Sequence, residues 1–360
     1  MKKMIAFMLL AAMALSLLVG CGANGPTTAG NRTITDGANR QVEVPEKVES
    51  IVCVGVGALR YSCYMGAADL VIGVEDYEVK AGMTRLYQYV NFEKFKDLPV
   101  IGTNGQPYTE EIINLAPDVI VMSKSASVDA DDLQEKTGTP VVVVPGSDTT
   151  LDQDCFDTIR ILGELYGLQA RADALTTYLQ GLQKDLDDRT KDIPDSEKLT
   201  AYTGAVTFSG RHGFAGTYAN FGPFMGVNAL NVADEVKDTN YFETDLEKVV
   251  EWDPDVIFLD PGNMDLVNDE YKTNPGYFHA LRAVQEGQLY TMPSFNNCST
   301  NITYAIMNAY YAGIVLYPEA FADVDMATIG GQILETMLGE NFFEEMEAGG
   351  LYYGKLTLGQ

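Results

Sequence analysis

Two arginines and one histidine carry the side chains whose chemistry stands out in this chain. Arg60 and Arg211 are positively charged residues in a chain where basic side chains are scarce: it has 24 Lys and Arg against 51 Asp and Glu. A guanidinium is a planar fork of donors that suits carboxylate, hydroxamate or catecholate oxygens, although a neighbouring acid could pair with it instead. His212, one of two histidines, could donate a hydrogen bond to a bound molecule, bind a metal axially, or simply pack within a loop.

Patterns of common catalytic sites are missing from the sequence. It holds no Ser–His–Asp set, no HExxH motif and no P-loop, and Gly55 and Gly57 lack the third glycine of a dinucleotide fingerprint. Two histidines make a His-rich site for a bare metal ion hard to build, although His212 with carboxylates could hold a cation. We therefore expect no enzymatic activity and no resident cofactor.

The N-terminus has the pattern of a secretory signal. Lys2 and Lys3 precede an apolar stretch over 5–19, which is too short to span a bilayer comfortably, and small residues follow. Leu18, Val19, Gly20 and Cys21 resemble a bacterial lipobox, which implies cleavage and a diacylglycerol thioether on Cys21; a cleaved signal without lipid is the alternative. We expect a signal at 1–21 and a flexible tether at 22–31, rich in Gly, Thr, Asn and Ala.

Composition and charge restrict the partners. The chain has 360 residues with 46% hydrophobic side chains, enough for two lobes with real cores. Its formal charge is −27, which argues against nucleic acid and fits a protein held at the membrane by a lipid rather than by a basic patch. Cys53, Cys63, Cys155 and Cys298 lack metal-site spacing, so buried free thiols are expected, with a Cys53–Cys63 disulfide as the alternative.

Strand and helix patterns alternate along the body of the chain. Residues 33–45 form a predicted hairpin whose turn holds Asp36, Gly37 and Asn39. Predicted strands lie at 50–54, 71–74, 100–101, 118–122, 141–144, 200–203, 256–259 and 288–291. Predicted helices lie at 58–65, 110–115, 131–137, 246–251 and 303–316. Such alternation indicates parallel sheets with helices on their faces.

A long helical stretch separates two similar halves. Residues 151–192 contain no proline, and Ala172, Leu175, Leu179, Leu182 and Leu186 form one apolar stripe at helical spacing. On either side of it, residues 110–121 and 247–258 repeat one pattern: a glutamate, an amphipathic helix, a Pro-Asp pair seven residues on, and an apolar strand. Two copies at equal spacing predict two lobes of like construction.

These motifs resemble a known family. The hairpin at 33–45, the segment 48–52, Ala58 to Arg60, the strand ending at Asp76 and the two Pro-Asp units are similar to the metal-chelate branch of ABC-importer binding proteins, of the class III type. The resemblance covers about residues 32–345, and residues 210–217 fit a subgroup of iron-chelate binders. It implies an α/β fold with two Rossmann-like lobes, each with a parallel central sheet, joined by a single long helix. The implied bounds are 32–150, 151–193 for the helical linker, and 194–360.

The implied ligand site is the cleft between the lobes. In open α/β sheets, ligands bind beyond the carboxyl ends of the strands, which places the loops 55–61, 103–108, 208–217, 260–264 and 294–297 there. Tyr87, Tyr89, Tyr61 and Phe214 are candidate apolar walls. The full set of candidate ligand residues is Arg60, Tyr61, Tyr87, Gln106, Arg211, His212, Phe214, Asn263, Asn296 and Asn297.

Two acidic residues have a separate expected role. In the family that this chain resembles, the glutamate that begins the repeated segment of each lobe docks onto the membrane permease. The resemblance therefore implies that role for Glu110 and Glu247. An acid favoured by the helix macrodipole is the other interpretation. The resemblance implies a monomeric, lipid-anchored importer component outside the cytoplasm that carries an iron–siderophore chelate. Haem or a corrinoid is the alternative, and a bare-cation binder, an enzyme or an adhesin fits less well.

Overall fold

The structure is a computed structural model that describes residues 30–147, 150–236 and 240–359. The predicted signal peptide, Cys21 and nearly all of the predicted tether lie outside these residues. Within the described part of the chain, no helix is both long and apolar enough to cross a membrane.

An antiparallel hairpin opens the described chain, as predicted. Strand β1 (Asn31–Thr35) pairs with β2 (Gln41–Pro45), with Ile34 opposite Val42. The Asp36 carboxylate closes the turn by accepting hydrogen bonds from the amides of Ala38 and Arg40, and it also accepts from Val143. The hairpin is thereby fixed to the edge of the first sheet.

The first lobe is built on a six-stranded sheet with the order β6-β5-β4-β3-β7-β8. All neighbours are parallel except β5 and β6. The strands are β3 (Ile51–Val54), β4 (Val71–Glu75), β5 (Val100–Thr103), β6 (Gln106–Pro107), β7 (Val119–Ser123) and β8 (Val141–Val144). The helices are α1 (Ala58–Tyr64), α2 (Leu86–Val90), α3 (Phe92–Phe95), α4 (Thr109–Leu115) and α5 (Ala130–Thr137).

The second lobe is built on a four-stranded parallel sheet with the order β11-β9-β13-β14. Its strands are β9 (Thr200–Gly204), β11 (Leu230–Asn231), β13 (Val256–Leu259) and β14 (Leu289–Thr291). A separate antiparallel ribbon, absent from the sequence prediction, joins β10 (Gly216–Tyr218) and β12 (Tyr241–Glu243). The helices are α8 (Gly222–Gly226), α9 (Leu246–Trp252), α10 (Met264–Thr273), α11 (Pro275–Phe278), α12 (Arg282–Gln285), α13 (Ile302–Leu316), α14 (Met326–Leu338) and α15 (Phe343–Ala348).

The segment between the lobes is a shorter helix followed by one long helix. α6 (Gln153–Tyr166) ends at Gly167, which adopts the left-handed conformation with φ 67°, and α7 (Gln169–Thr190) follows. The 22 residues of α7 span about 33 Å at 1.5 Å per residue. The predicted stripe of five apolar residues is buried along this helix, so the fold of two lobes joined by one long helix is confirmed.

The C-terminal helices return to the first lobe. Phe342 packs against Tyr89 with ring centroids 5.3 Å apart, and the Arg171 guanidinium of α7 donates to the carbonyls of both Tyr64 and Thr336. One continuous cluster of buried apolar side chains, which includes Leu59 and Phe343, therefore extends across both lobes. Because interiors are close-packed, this shared core opposes large lobe movements.

The repeated Pro-Asp units have the same structure in both lobes. α4 and α9 each end at a residue with positive φ, Ala116 at 47° and Asp253 at 41°. In the first lobe, Asp118 accepts a hydrogen bond from the Ser50 amide at 3.0 Å, and in the second, Asp255 accepts from the Thr200 amide at 2.8 Å. Each aspartate thus fastens the start of the neighbouring strand, at the amino ends of the two sheets.

Candidate ligand cleft between the lobes

A cavity of about 860 Å³ lies between the lobes at the carboxyl ends of both sheets. The first lobe contributes loops that follow β3, β5 and β7, and the second contributes loops that follow β9 and β14. Its lining residues are Val56, Asn104, Ser125, Ser147, Phe208, Ser209, Tyr218, Asn220, Gly222, Asn240, Phe295, Asn296, Cys298, Ser299 and Thr300. We call this cavity the interlobe cleft.

The aromatic residues that line the interlobe cleft all come from the second lobe, while both lobes contribute polar lining residues. On the second-lobe side, Phe208 packs edge to face on Tyr218 at 6.1 Å between ring centroids, and Tyr218 packs against Phe295 at 5.9 Å. On the first-lobe side, the side chains of Asn104 and Ser125 are small and polar. Among the described lining residues, none carries a charged side chain. The cleft therefore suits a molecule with one flat or apolar face and one hydrogen-bonding face.

Unusual backbone conformations are concentrated around the cleft. Five lining residues other than glycine have positive φ: Asn104 at 47°, Ser209 at 50°, Asn220 at 52°, Cys298 at 52° and Ser299 at 69°. Such conformations cost free energy and cluster at ligand sites, where surrounding structure maintains them. The sequence offered a signal for one of them, because Asn104 and Gly105 form the Asn-Gly turn between β5 and β6.

Arg60 lies beneath the cleft rather than at its surface. Its side chain is fully buried, and its guanidinium donates hydrogen bonds to the carbonyls of Asn297, Cys298 and Thr300 at 2.9, 2.7 and 3.0 Å. It therefore supports the second-lobe loop that carries the strained residues Cys298 and Ser299. Arg60, which was predicted to contact the ligand, is not among the residues that line the cleft.

A second, smaller cavity of about 130 Å³ brings together three of the predicted ligand residues. Arg211, Asn263 and Asn297 line it, together with Thr84 from the first lobe. Arg211 donates to Asn263 Oδ1 at 2.8 Å and forms an ion pair with Asp265. Half of the Arg211 side chain is exposed, so this guanidinium already has an acid partner, which was the alternative interpretation.

His212 lies behind the aromatic wall. Its Nε2 donates to the Phe208 carbonyl at 2.8 Å, its Nδ1 lies 2.8 Å from Glu243 Oε1, and its ring packs on Tyr241 at 4.8 Å. It positions Phe208 and is not one of the residues that line the cleft. Among the residues described by the structure, no group of three or more His, Cys, Asp or Glu side chains is arranged to hold a metal ion.

Three of the four predicted aromatic walls are in the protein interior, and the fourth, Tyr89, packs against Phe342 and does not line the cleft. Tyr61 and Tyr87 are each 1% exposed, and Phe214 is fully buried against Tyr202 and Phe278 in the core of the second lobe. The Tyr87 hydroxyl donates to Glu78, and its ring lies under the Arg60 guanidinium at 5.0 Å. Sequence reasoning missed Phe208, Tyr218 and Phe295, because apolar periodicity alone does not separate core aromatics from cleft aromatics.

The asparagine and glutamine side chains that were predicted to bind the ligand lie in three different places. Asn296 lines the interlobe cleft, and its Nδ2 donates to the Tyr218 hydroxyl at 2.9 Å. Its neighbour Asn297 lines the smaller cavity, while Gln106 is exposed on β6. Asn104, Asn220 and Asn240, which also line the cleft, were not singled out in the sequence because isolated asparagines carry no distinctive pattern.

Glu110 and Glu247 are exposed in the first turns of α4 and α9. Each of these helices precedes a strand of a parallel sheet, so its N-terminus lies at the carboxyl edge, on the side of the cleft. Tyr108 and Ile113, which are 45% and 46% exposed, lie beside Glu110 on the same surface. The two glutamates thus mark one rim of the molecule, one on each lobe.

The four cysteines within the described residues are free. Cys53, Cys63 and Cys155 are buried, and burial raises the pKa of both Cys53 and Cys155 to about 12. Cys298 is half-buried in the cleft wall. The alternative of a Cys53–Cys63 disulfide is not realised in the structure.

Comparison with known proteins agrees with this architecture. The family model described as periplasmic binding protein matches residues 66–295. The chain is 23% identical over 277 residues to the uncharacterized ABC transporter substrate-binding lipoprotein YvrC of Bacillus subtilis (73% of this chain, 82% of YvrC). It is 26% identical over 203 residues to the Fe(3+)-citrate-binding protein YfmC of the same species (54% of this chain, 59% of YfmC).

A solved structure shares the fold. The molybdate-bound periplasmic binding protein MolA of Haemophilus influenzae superposes with a TM-score of 0.68 and 19% identity, covering 86% of this chain and 99% of MolA. The family match spans well over half of the chain, and the two lobes with their shared cleft are the architecture that the sequence resemblance implied. The chain belongs to the periplasmic binding protein family.

Proposed function

We propose that this protein is the lipid-anchored, extracytoplasmic binding component of an ABC importer, and that it captures an iron chelate of the siderophore type in the interlobe cleft. The observation that carries this proposal is the size and chemistry of the cleft. At about 860 Å³, the cavity lies within the range of sites for organic ligands, about 300–1,000 Å³. A single ion needs far less, since one water molecule occupies about 30 Å³.

The wall chemistry favours an organic chelate over a bare ion. The rings of Phe208, Tyr218 and Phe295 give an apolar surface, and the amides of Asn296, beside Tyr218, and of Asn104, on the first lobe, offer hydrogen-bonding groups. A siderophore encloses its metal in its own oxygens, so the protein needs to recognise only the organic shell. The name of YfmC, an Fe(3+)-citrate-binding protein, supports iron chelates as the ligand class.

Haem and a corrinoid remain alternatives within the same importer class, since both are flat molecules that an aromatic wall could contact. Molybdate, the ligand named in the MolA structure, is a small oxyanion that would fill little of this cleft. The proposed partners are a permease dimer with its ATPase subunits, contacted through Glu110 and Glu247, and the membrane, reached through lipid on Cys21. A monomer is sufficient, because one chain supplies both walls of the cleft.

Native mass spectrometry of the protein purified from its own growth medium tests the proposal, because a co-purified chelate appears as an added mass with the isotope pattern of its metal. The apo protein is then titrated with ferric citrate, a ferric trihydroxamate, haem, cobalamin and molybdate. We expect tight binding of a ferric chelate and of no other compound in this panel. Binding of molybdate alone, or of haem or cobalamin with no ferric chelate bound, would contradict the proposed ligand class.

A further inference from the structure

Each lobe has one buried carboxylate at the carboxyl end of a strand in the middle of its sheet. Glu75 is the last residue of β4, which lies between β3 and β5. Asp260 directly follows β13, which lies between β9 and β14. Their exposed fractions are 2% and 6%. In each lobe, the strands on either side of the carboxylate lead into loops that line the interlobe cleft.

The Glu75 carboxylate joins the loops after β3 and β5. Its Oε2 accepts hydrogen bonds from the Gly55 amide at 3.0 Å and the Tyr77 hydroxyl at 2.9 Å, and its Oε1 accepts from the Gly105 amide at 2.6 Å. The neighbours of these glycines in the chain, Val56 and Asn104, line the cleft. One side chain therefore fixes two cleft loops relative to each other.

The backbones at this point are in direct contact, which explains why glycine is required. Gly55 and Gly105 have φ of +85° and +75°. A Cβ added to Gly105 would lie 3.1 Å from Ala126 Cα and 3.5 Å from Gly55 Cα. A larger residue at position 105 would therefore be crowded by these backbones, and the amides of Gly55 and Gly105 need an acceptor from elsewhere in the chain. Buried amides without a partner are costly, and a carboxylate supplies strong, charge-assisted acceptors for both.

Asp260 has a similar arrangement in the second lobe. Its Oδ2 accepts from the Thr207 hydroxyl at 3.1 Å and its Oδ1 accepts from the Gly262 amide at 2.9 Å, while the Thr207 amide donates to Ser294 Oγ at 3.2 Å. Thr207 precedes the cleft residues Phe208 and Ser209, and Ser294 precedes Phe295 and Asn296. Asp260 thus holds the loop after β9, and the hydrogen bond between Thr207 and Ser294 joins the loop after β14 to it.

We propose that Glu75 and Asp260 are positioning residues of the ligand site. Glu75 holds two cleft loops directly, and Asp260 holds one directly and the other through the hydrogen bond between Thr207 and Ser294. This role rests on the proposed function of the cleft as the ligand site. The two residues contact no ligand themselves, and they act through Val56 and Asn104 in one lobe and through the aromatic wall in the other.

The test replaces each carboxylate by its amide, in Glu75→Gln and Asp260→Asn. An amide has one acceptor oxygen, and its NH₂ group faces a donor, so at least one loop loses its hydrogen bond. Matched controls are Asp118→Asn and Asp255→Asn, which make the same change in carboxylates that accept backbone amides at the opposite edges of the two sheets.

Hydrogen–deuterium exchange without ligand is the first readout. We expect the exchange rate to rise about tenfold or more at 55–57 and 104–106 in Glu75→Gln, and at 206–209 and 294–297 in Asp260→Asn. A tenfold rise corresponds to a decrease of about 1.4 kcal/mol in the free energy of local opening. The controls should leave these segments unchanged. Unchanged exchange in folded Glu75→Gln and Asp260→Asn, or equal increases in the controls, would overturn the proposal whether or not any ligand has been found.

Affinity for the ferric chelate that wild type binds is the second readout. Burial raises the pKa of Glu75, and it raises the pKa of Asp260 to about 6. Asp76, Tyr77 and Glu78 face Glu75, and Arg211 and Tyr304 face Asp260. Wild-type affinity should fall between about pH 7.5 and about pH 5, as Asp260 gains a proton and loses acceptor strength, while Asp260→Asn should be weaker and flatter over this range. A steep wild-type profile retained in that variant would contradict the role of Asp260.

If either amide variant fails to fold, Tyr77→Phe and Thr207→Val take its place, because each removes one hydrogen bond to a carboxylate. Raised exchange confined to the loops of the same lobe would then support the proposal, and unchanged exchange would refute it. If wild type binds no ferric chelate in the panel, the proposed ligand class fails, while the exchange measurement still decides the positioning role.

Discussion

The guanidinium of Arg60, in the first lobe, donates a hydrogen bond of 3.0 Å to the carbonyl of Thr300, in the second lobe. The same guanidinium reaches two more carbonyls of that loop. The loop turns through Cys298 and Ser299, both with positive φ, and an external set of donors maintains this costly conformation. A residue that looks like a ligand contact in the sequence is thus a structural link between the halves of the cleft.

Arg60→Ala should therefore destabilise the protein. Three carbonyls lose a charged donor in the interior, so we expect the free energy of unfolding to fall by roughly 3–5 kcal/mol, as measured by urea denaturation. Arg282→Ala is the matched control, since Arg282 forms ion pairs with Asp253 and Asp255 while 48% exposed, and its loss should cost less than about 1 kcal/mol. Equal effects in the two variants would contradict the buried role of Arg60.

The aromatic wall should contribute most of the contact with the ligand. Phe208→Ala removes a ring that lines the cleft and packs on Tyr218, so affinity for the bound chelate should fall about 10- to 100-fold, from the loss of roughly 1.5–3 kcal/mol of apolar burial. Tyr352→Ala removes an aromatic side chain that is 37% exposed away from the cleft and should change affinity less than twofold. Isothermal titration calorimetry compares the two, and retained affinity in Phe208→Ala would place the ligand elsewhere.

Glu110 and Glu247 should govern delivery rather than capture. Glu110→Arg combined with Glu247→Arg should abolish uptake of the chelate in cells and leave its affinity for the purified protein unchanged, since rim charges set register and encounter. Glu135→Arg with Glu286→Arg reverses one exposed acid per lobe at the opposite edges of the sheets and should transport normally. Normal uptake by the first double variant would refute docking through these two residues.

Glu78 should make stability depend on pH. Burial raises its pKa to about 7, even though Arg85 and Arg60 oppose the shift and Tyr87 donates to it. Between about pH 4.5 and 7, the folded state keeps a proton that the unfolded state has lost, so this group lowers the free energy of unfolding as pH rises. Glu78→Gln has no such proton, and its stability relative to wild type should increase from about pH 5 to about pH 8 in thermal unfolding. A constant difference across this range would contradict the raised pKa.

Ligand binding should produce little lobe closure. α7 is one continuous helix of 22 residues, and Tyr304 of the second lobe donates to the Met83 carbonyl of the first at 2.8 Å. With the shared core beside these contacts, the radius of gyration from small-angle X-ray scattering should not change measurably on saturation with the chelate. A clear compaction on binding would show that the lobes hinge in spite of these links.

The sequence alone determined the architecture, because local patterns report it directly. The apolar stripe from Ala172 to Leu186 predicted α7, and the repeated Pro-Asp units predicted two lobes, since helix and strand periodicities arise from burial of one face or of both. The strand-end rule also selected the loops that contain Val56, Asn104 and Asn296, which the structure places at the cleft.

Only the tertiary structure decided which side chains in those loops face the cleft. Arg60, Tyr61 and Phe214 are on loops that the strand-end rule selects, yet all three are buried. Whether a side chain points into a cavity or into the core depends on backbone direction at a few residues, such as the positive φ of Asn104 and Ser299. Contacts between distant segments, such as the hydrogen bonds of Glu75 to Gly55 and Gly105, fix that direction, and no local pattern encodes them.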